Sequence, residues 1–233
     1  MKTKIIYAIA IAVIAVTATS FYSSSEQLQA IQIEKYTATS DDMEGWSDAS
    51  KMAVMSMKKK YGEPVEKNSE MMMWKKTGQW KQTVVYAQEF DHDFPLPHTD
   101  VMQQWIDHEV PPKKFTELAN FDGSVVANRT NGVISARCDL EGANFLAINL
   151  AHDIIEGNKS VENAREFYAT AMKEMINGGK PDYIQKLQFD VSSGNTAFTD
   201  EPSPMITEED MMKAKEMKDM MKKDMINKNY GKK

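Results

Sequence analysis

Four histidines, all between residues 92 and 152, are the side chains with the greatest capacity for chemistry in this chain. Aspartates lie beside them, in the segments DHDFPLPH and WIDH and in the dipeptide His152-Asp153. Imidazole together with carboxylate can bind Zn²⁺ or a similar ion, or form a general base that an acid orients. The candidate metal ligands are His92, His98 and His108. Their spacing matches no established metal motif, so a solvated polar surface is the simpler interpretation.

The candidate catalytic residues are His152, Asp153, Arg137 and Asp139. His152 stands out because the helix predicted around it is otherwise apolar, with Asn149 and Glu156 within one turn. Those neighbours could fix the tautomer that a general base needs, or form an ordinary polar helix face. The arginine could bind a carboxylate or phosphate through two parallel hydrogen bonds, or form a structural ion pair with a nearby acidic residue.

The single cysteine, Cys138, excludes a disulfide within one molecule, so the fold must rest on packing. A thiol that meets a histidine in space can act as a nucleophile. The alternating pattern around Cys138 instead predicts that its side chain faces the core, which favours an unreactive buried thiol.

Methionine is unusually frequent, with 18 residues among 233, including the run Met71-Met72-Met73 and a cluster between residues 205 and 225. Thioether sulfur is a soft ligand, so clustered methionines in an oxidising setting could bind Cu(I). Methionine also forms adaptable hydrophobic contact surfaces. Copper binding, contact of the tail with a partner or a membrane surface, and a solvated tail all stay open, and no cofactor is assigned.

The stretch from Phe121 to Gly157 must position most of these residues, because it combines a β-hairpin with the most apolar helix after the N-terminus. Asn131-Gly132 lies between two runs of strand-forming residues and predicts a two-residue type I′ turn, in which both residues have positive φ. Such a turn pairs Thr130 with Val133. The predicted apolar face of the hairpin consists of Val125, Ala127, Ile134, Ala136 and Cys138.

Helical spacing predicts a helix from about Leu140 to Glu156 whose apolar residues fill more than half of its circumference. A helix this apolar packs between other elements rather than on a surface. Asn144 falls on the apolar side and therefore needs a buried hydrogen-bond partner. Gly157 supplies the left-handed residue that ends the helix.

The rest of the domain is predicted to mix helices and strands. We expect helices over residues 47–61, 112–120 and 160–176, a short helix over 100–108, and strands over 70–74, 82–90 and 183–191. The prolines of residues 91–98 exclude a central strand there. The sequence therefore predicts an α+β fold of two layers, in which helices pack on a mostly antiparallel sheet of four to six strands.

The two ends of the chain differ from this domain in composition. Residues 1–18 combine two lysines, an apolar run and a small-residue cleavage site, which is typical of a signal peptide, with an uncleaved membrane anchor as the alternative. Residues 19–44 form a polar leader and residues 45–199 the single domain. Residues 200–233 form a tail rich in Met and Lys, in which we expect an amphipathic helix. The predicted location is periplasmic or extracellular.

Between about Lys60 and Phe189 the chain contains the segments PHTD, VPPKKFTELANFDGSV, RTNG, SARCD, NFLAINLAHDI and AREFYA. Together these segments resemble a family of exported bacterial proteins whose activity is uncharacterised. The resemblance implies an exported single domain, and it assigns no ligand and no catalytic residue.

Three functions stay open. The leading one is an exported, non-enzymatic domain that binds a partner protein or a small molecule, because the chain has no catalytic motif. The alternatives are a metal-dependent or acid–base enzyme that uses His152 and the charges of the hairpin, and a Cu(I)-binding protein that uses methionine clusters. The net charge of −6 provides no general basic surface for nucleic acid. Whether the histidines meet one another or Cys138 in space would decide most between these functions.

Overall fold

The computed structural model describes residues 43–230, with side chains described as far as residue 226. The predicted signal peptide and nearly all of the predicted leader therefore lie outside the described residues. Among the helices that are described, none has the length and apolar character needed to cross a membrane.

Within the described residues the chain forms five α-helices and six β-strands. The helices are α1 (Asp48–Tyr61), α2 (Phe115–Phe121), α3 (Glu141–Glu156), α4 (Val161–Ile176) and α5 (Glu208–Tyr230). The strands are β1 (Glu66–Lys67), β2 (Met71–Thr77), β3 (Trp80–His92), β4 (His98–Asp107), β5 (Val126–Asn128) and β6 (Val133–Cys138). Two 3₁₀ turns, Pro112–Lys114 and Asp182–Ile184, lie between helices or strands.

The six strands form one sheet in the order β1-β2-β3-β4-β6-β5. Each neighbouring pair is antiparallel. Helices and strands alternate irregularly along the chain, so the predicted α+β class and the antiparallel sheet are confirmed.

Both major core clusters lie against one face of the sheet. The pairing register places Met72, Val85, Met102 and Cys138 side by side across β2, β3, β4 and β6, on a single face. Helix α1 packs with the first three of these strands in one buried cluster, and α3 packs with Ala136 of β6 in the other. Because β6 alternates, Ala136 and Cys138 point the same way, so α1 and α3 cover the same side.

Local capping signals predicted the helix limits well. Ser47 and Ser160 each accept a hydrogen bond from a backbone N–H in the first turn of α1 and α4. Gly157 ends α3 with a φ of 79°. Asn144 is fully buried, as its place in the pattern predicted, and its Nδ2 donates to the carbonyl oxygen of Met102 at 3.0 Å.

The predicted hairpin between β5 and β6 is present, but the prediction of a two-residue type I′ turn is wrong. Asn128 pairs with Val133, so the loop contains the four residues 129–132 rather than two. Gly132 has a φ of 65°, whereas Asn131 does not have the positive φ that a type I′ turn requires. The Asn128 side chain accepts a hydrogen bond from the Asn131 backbone N–H at 3.1 Å, which closes the longer loop. The register moves by two residues, so each side chain keeps its predicted face.

Residues 100–108 do not form the predicted short helix, because all of them except His108 belong to β4. Its neighbours are β3 on one side and β6 on the other, which makes it an interior strand. Residues 100–104 are all buried, polar side chains included. A strand buried on both faces lacks the alternation that identifies a strand in sequence.

Residues 183–191 do not form the predicted last strand. They make a 3₁₀ turn followed by irregular chain with bends, which pairs with none of the described strands. Asn149 of α3 holds the segment instead, because its Nδ2 donates to the carbonyl oxygens of Tyr183 and Lys186, and its Oδ1 accepts from the Gln188 N–H. Hydrogen bonds from one buried amide side chain, rather than pairing with a strand, thus fix the position of this segment.

Helix α5 lies within the segment predicted as a tail. All residues from 201 to 226 are exposed, including the methionines of the segment. The helix therefore contributes nothing to the buried core, and contact of this segment with a partner or a membrane surface stays a prediction.

Two histidine pairs as candidate functional sites

The structure brings the four histidines together as two pairs. The ring centroids of His92 and His98 are 4.8 Å apart, whereas Nε2 of His108 lies 2.9 Å from Nδ1 of His152. The three candidate metal ligands therefore do not share one site. His108 belongs instead with His152, the first candidate for catalysis.

The first pair lies where the loop between β3 and β4 joins the two strands. His92 is the last residue of β3, His98 is the first of β4, and the two face each other across the ladder. Along β4 every second side chain points to the same side, so Asp100 joins His98. Asp100 is only 6% exposed, which is rare for a carboxylate without a charged partner.

The Asp100 carboxylate lies between the two imidazole rings. Its Oδ1 is 3.2 Å from His98 Nε2, and its Oδ2 is 3.4 Å from His92 Nδ1. One ligand atom from each residue can be chosen so that all three lie within 4.8 Å of one another. Asp100 Oδ1 and His92 Nδ1 are buried, and neither makes a hydrogen bond within the described part of the chain. The atoms of this site are therefore close together, but their geometry does not form hydrogen bonds that satisfy these two.

Outer contacts orient both rings. His98 Nδ1 is 2.8 Å from the carbonyl oxygen of Leu96, which can only accept, so Nδ1 carries a proton. His92 Nε2 is 3.6 Å from Oδ1 of Asp122, a carboxylate that is 2% exposed. Asp122 in turn accepts hydrogen bonds from the backbone and hydroxyl of Ser124, both at 2.7 Å. The nitrogens left to face Asp100 are His98 Nε2 and His92 Nδ1.

The electrostatics of this site favour a positive charge. The pKa of His98 is raised to about 11, first by its contact with Asp100 and next by its contact with the Cys138 thiol. Burial raises the pKa of Asp122 above its ordinary value. Carboxyl groups buried beside two imidazoles are balanced by a proton, on an imidazole or on a carboxyl group itself, or by a metal cation.

Cys138 adjoins this site from the end of β6. Its side chain is 5% exposed, its thiol donates to Asp139 Oδ1 at 3.4 Å, and burial raises the pKa of the thiol. His98, Cys138 and Asp139 are among the residues that line a cavity of about 200 Å³. The other walls are mostly apolar and consist of Pro95, Leu96, Leu140, Tyr168, Met172, Met175 and Ile176. The thiol thus lies in the core, yet a histidine and a small cavity adjoin it.

The second pair is held by different elements. His108 directly follows β4, and its backbone N–H donates to the Gly132 carbonyl oxygen at 2.9 Å. His152 projects from α3 and stacks on Phe189, with ring centroids 3.8 Å apart. Both histidines line a cavity of about 410 Å³, which is larger than the cavity of about 200 Å³ beside His98.

The second pair resists protonation. Burial lowers the pKa of His108, and burial followed by the proximity of His108 lowers the pKa of His152. His108 Nδ1 is 2.7 Å from the carbonyl oxygen of Glu109. At neutral pH both rings are therefore neutral and act through their tautomers rather than through charge.

Arg137 has a structural environment. Its guanidinium group donates to Gln103 Oε1 at 2.8 Å and lies over the rings of Tyr86 and Phe90, 5.0 and 4.8 Å from their centroids. It forms no ion pair with any described residue, so the ion pair considered from the sequence is absent from that part of the chain. The arginine binds aromatic rings and an amide instead.

Asp153 is also occupied elsewhere. It accepts a hydrogen bond from the Tyr183 hydroxyl at 3.0 Å and pairs with Lys159 at 3.1 Å. Asp139 meets the Cys138 thiol at the first pair. The four candidate catalytic residues thus contact different partners. His152 makes no hydrogen bond or ion pair with any of the other three.

Two residues at the first site were not singled out as ligands from the sequence, namely Asp100 and Asp122. The useful signal was the spacing His98-Thr99-Asp100, because in a strand the first and third residues share a face. The helix predicted over residues 100–108 hides that signal, because residues two apart do not share a face of a helix. Nothing local in the sequence indicates that Asp122 approaches His92.

No family model matches the chain, and no curated protein or solved structure matches it either. The resemblance to an exported bacterial family therefore stays a prediction, and the functional argument rests on the geometry of the two histidine pairs.

Proposed function

We propose that this protein is an exported binding domain whose ligand is a divalent first-row transition-metal ion, Zn²⁺ first among them, held by His92, His98 and Asp100. One observation carries the proposal. A buried carboxylate lies between two imidazole nitrogens, and Asp100 Oδ1 and His92 Nδ1 have no hydrogen-bond partner among the described residues. Polar atoms are rarely left in that state unless another species binds them.

The donor set suits zinc. Two imidazole nitrogens and one carboxylate oxygen are common zinc ligands, and three protein ligands leave a fourth position for water or a small ligand. Histidines that bind metals usually donate their other N–H to a carbonyl or a carboxylate. His98 meets the Leu96 carbonyl and His92 approaches Asp122 in this way.

Charge supports the same conclusion. Asp100 and Asp122 are both nearly inaccessible to solvent. A divalent cation would displace the proton that His98 otherwise holds and would neutralise both carboxylates at once. The competing explanation is an imidazolium–carboxylate ion pair with only a structural role, which would bind no metal.

Export of the domain is proposed from residues 1–18 alone. A site built from histidine and aspartate suits an oxidising compartment, since these ligands resist the oxidation that thiolates undergo. The binding role agrees with the absence of a catalytic motif from the sequence.

The test is a metal titration of the purified full chain after treatment with a chelator. We expect one Zn²⁺ per chain by calorimetry and elemental analysis. His98→Asn keeps a donor for the Leu96 carbonyl but lacks the Nε2 ligand, so its affinity should fall at least about 100-fold.

His152→Asn makes the same chemical change in the other pair and serves as the matched control. It should bind Zn²⁺ with the affinity of the unaltered chain. Stoichiometric binding that His98→Asn leaves unchanged, or the absence of binding at micromolar Zn²⁺, would show that the first pair is a structural ion pair.

A further inference from the structure

The cleft at the second histidine pair is large enough for a small molecule. Its volume of about 410 Å³ lies within the range typical of ligand pockets. Its walls come from three separate stretches, residues 107–113, 152–156 and 189–196. The cleft lies outside the metal site, since none of its lining residues is a ligand proposed there.

Hydrogen bonds assign the tautomers of the two rings. The Glu109 carbonyl oxygen can only accept, so His108 Nδ1 carries a proton and the Nε2 of the neutral ring has a lone pair. His152 Nδ1, 2.9 Å from that lone pair, must therefore donate to it. This leaves His152 Nε2 with a lone pair, and no described residue donates a hydrogen bond to it.

The same hydrogen bonds argue against a metal ion between the rings. The two facing nitrogens share one proton, so only one of them offers a lone pair, and that lone pair is already engaged. A single free imidazole nitrogen is a weak metal site but a good hydrogen-bond acceptor.

Charges around the cleft favour a cationic ligand. Glu109, Glu156 and Asp190 form no ion pair within the described part of the chain, whereas Asp107 already pairs with a lysine of β3 at 2.6 Å. Lys113 is the single ammonium group among the lining residues. Three available carboxylates against one ammonium group attract cations and repel anions.

Apolar groups complete the cleft. Phe189 stacks on His152, and Ile155 and Pro111 line the same space. These surfaces suit a short alkyl chain, while the free Nε2 of His152 suits an N–H donor. From these features together we infer a second binding site, which takes a small organic cation with an N–H group, such as a primary alkylammonium or alkylguanidinium ion.

The first experiment compares four probes by NMR titration of the full chain. We expect n-butylammonium and n-butylguanidinium to bind in the cleft. n-Butyltrimethylammonium has the charge but no N–H, so it should bind about tenfold more weakly, which is the effect of one charge-assisted hydrogen bond. Butyrate, with the opposite charge, should produce no shift at His152.

Variants then test the named atoms. His152→Asn keeps a donor toward His108 but lacks Nε2, and should weaken n-butylammonium binding about tenfold. Glu156→Gln should weaken it about two- to fivefold and reduce its dependence on salt. His98→Asn, at the other pair, is the control and should bind n-butylammonium normally.

Several results would overturn the inference. They are the absence of n-butylammonium binding at millimolar concentration, equal binding of butyrate, equal binding of n-butyltrimethylammonium, and full binding by His152→Asn. Each is independent of the metal proposal, since the Zn²⁺ titration reports on other residues.

Discussion

The two histidine pairs contain the same side chains at similar separations, yet the pKa of His98 in the first pair moves in the opposite direction to those of the second pair. The pKa of His98 is raised to about 11, while burial lowers the pKa of both His108 and His152. The difference lies in the placement of carboxylates. At the first pair Asp100 lies buried between the rings, whereas at the second a ring faces a ring and the carboxylates are at the exposed rim. Proximity of histidines alone therefore does not define a metal site.

This contrast separates two kinds of binding. A buried carboxylate between two imidazoles stabilises positive charge at that place, whether a proton or a metal cation carries it. A metal centre requires this property. Two neutral rings linked by one hydrogen bond instead present a fixed lone pair to a neighbouring cleft. The pairs also share no hydrogen bond or ion pair among the described residues, so a change at one should leave the other intact.

The largest predicted effect comes from Asp100→Asn, which removes the charge that defines the first pair. Zn²⁺ at about one hundred times its dissociation constant should stabilise the unaltered chain by about 2.7 kcal/mol. For a domain of this size that corresponds to about 5–10 °C in Tm. Asp100→Asn should lose this shift in a thermal scan with Zn²⁺.

Asp190→Asn removes a carboxylate at the second pair and is the matched control, so it should retain the full zinc-dependent shift. If Asp100→Asn were stabilised by Zn²⁺ as strongly as Asp190→Asn, the first pair would not differ from the second in metal binding.

Gly132→Ala should disturb the second pair selectively. Gly132 has a φ of 65°, and an added Cβ would lie 2.5 Å from the Thr196 carbonyl carbon. Its own carbonyl oxygen accepts from the His108 N–H at 2.9 Å. We expect a loss of about 1–3 kcal/mol in the free energy of unfolding, measured with denaturant. The NMR signals of His108 and His152 should move, while the Zn²⁺ affinity should not.

Gly123→Ala is the matched control, because Gly123 has no positive φ and nothing lies within 4 Å of an added Cβ. It should change stability by no more than about 0.5 kcal/mol. A fall in Zn²⁺ affinity in Gly132→Ala would show that the two pairs are coupled after all.

The local features of the fold could be predicted from sequence because they depend on neighbouring residues. Ser47, Ser160 and Gly157 act on the helix turn next to them, and each was identified correctly. The failures occurred where distant residues decide. The strand over residues 98–107 lies in the interior of the sheet and has buried residues on both of its faces, which removes the alternation.

The candidate sites show the same division. The sequence identified all four histidines, but not how they divide into pairs, since the pairing of His108 with His152 spans 44 residues and depends on how α3 lies on the sheet. The role of Asp100 follows once the segment is known to be a strand. The approach of Asp122 to His92 requires the position of α2, which no local pattern encodes.

Acid should destabilise the fold through the second pair. The folded pKa values of His108 and His152 lie below the ordinary value of 6.5, so the unfolded chain binds more protons than the folded one. Stability contributed by the neutral pair is present above pH 6.5 and is lost as the pH falls through and below that value. Denaturant unfolding between pH 7.5 and pH 5 in a chelating buffer measures the net change. The raised pKa of His98 contributes to it with the opposite sign, because folded His98 already holds the proton that the unfolded chain takes up over this range.

A variant with both His108→Asn and His152→Asn should lose less stability over the same pH range, because it lacks the histidines of the second pair. The first pair is present in both proteins, so the difference between the two losses belongs to the second pair. An equal loss in the two proteins would place the acid sensitivity elsewhere and would remove the distinction between the pairs.

The smallest predicted effect belongs to Phe189→Leu, which removes the ring stacked on His152. We expect a loss of about 1 kcal/mol or less in the free energy of unfolding. Water would then reach the imidazole more easily, so an NMR titration should show the pKa of His152 rising toward its ordinary value. Phe167→Leu removes a ring that contacts Tyr183 rather than a histidine, and it should leave the pKa of His152 unchanged. If Phe189→Leu also left this pKa unchanged, the lowered proton affinity would come mainly from His108, and the pair itself rather than its aromatic cover would set it apart from the first pair.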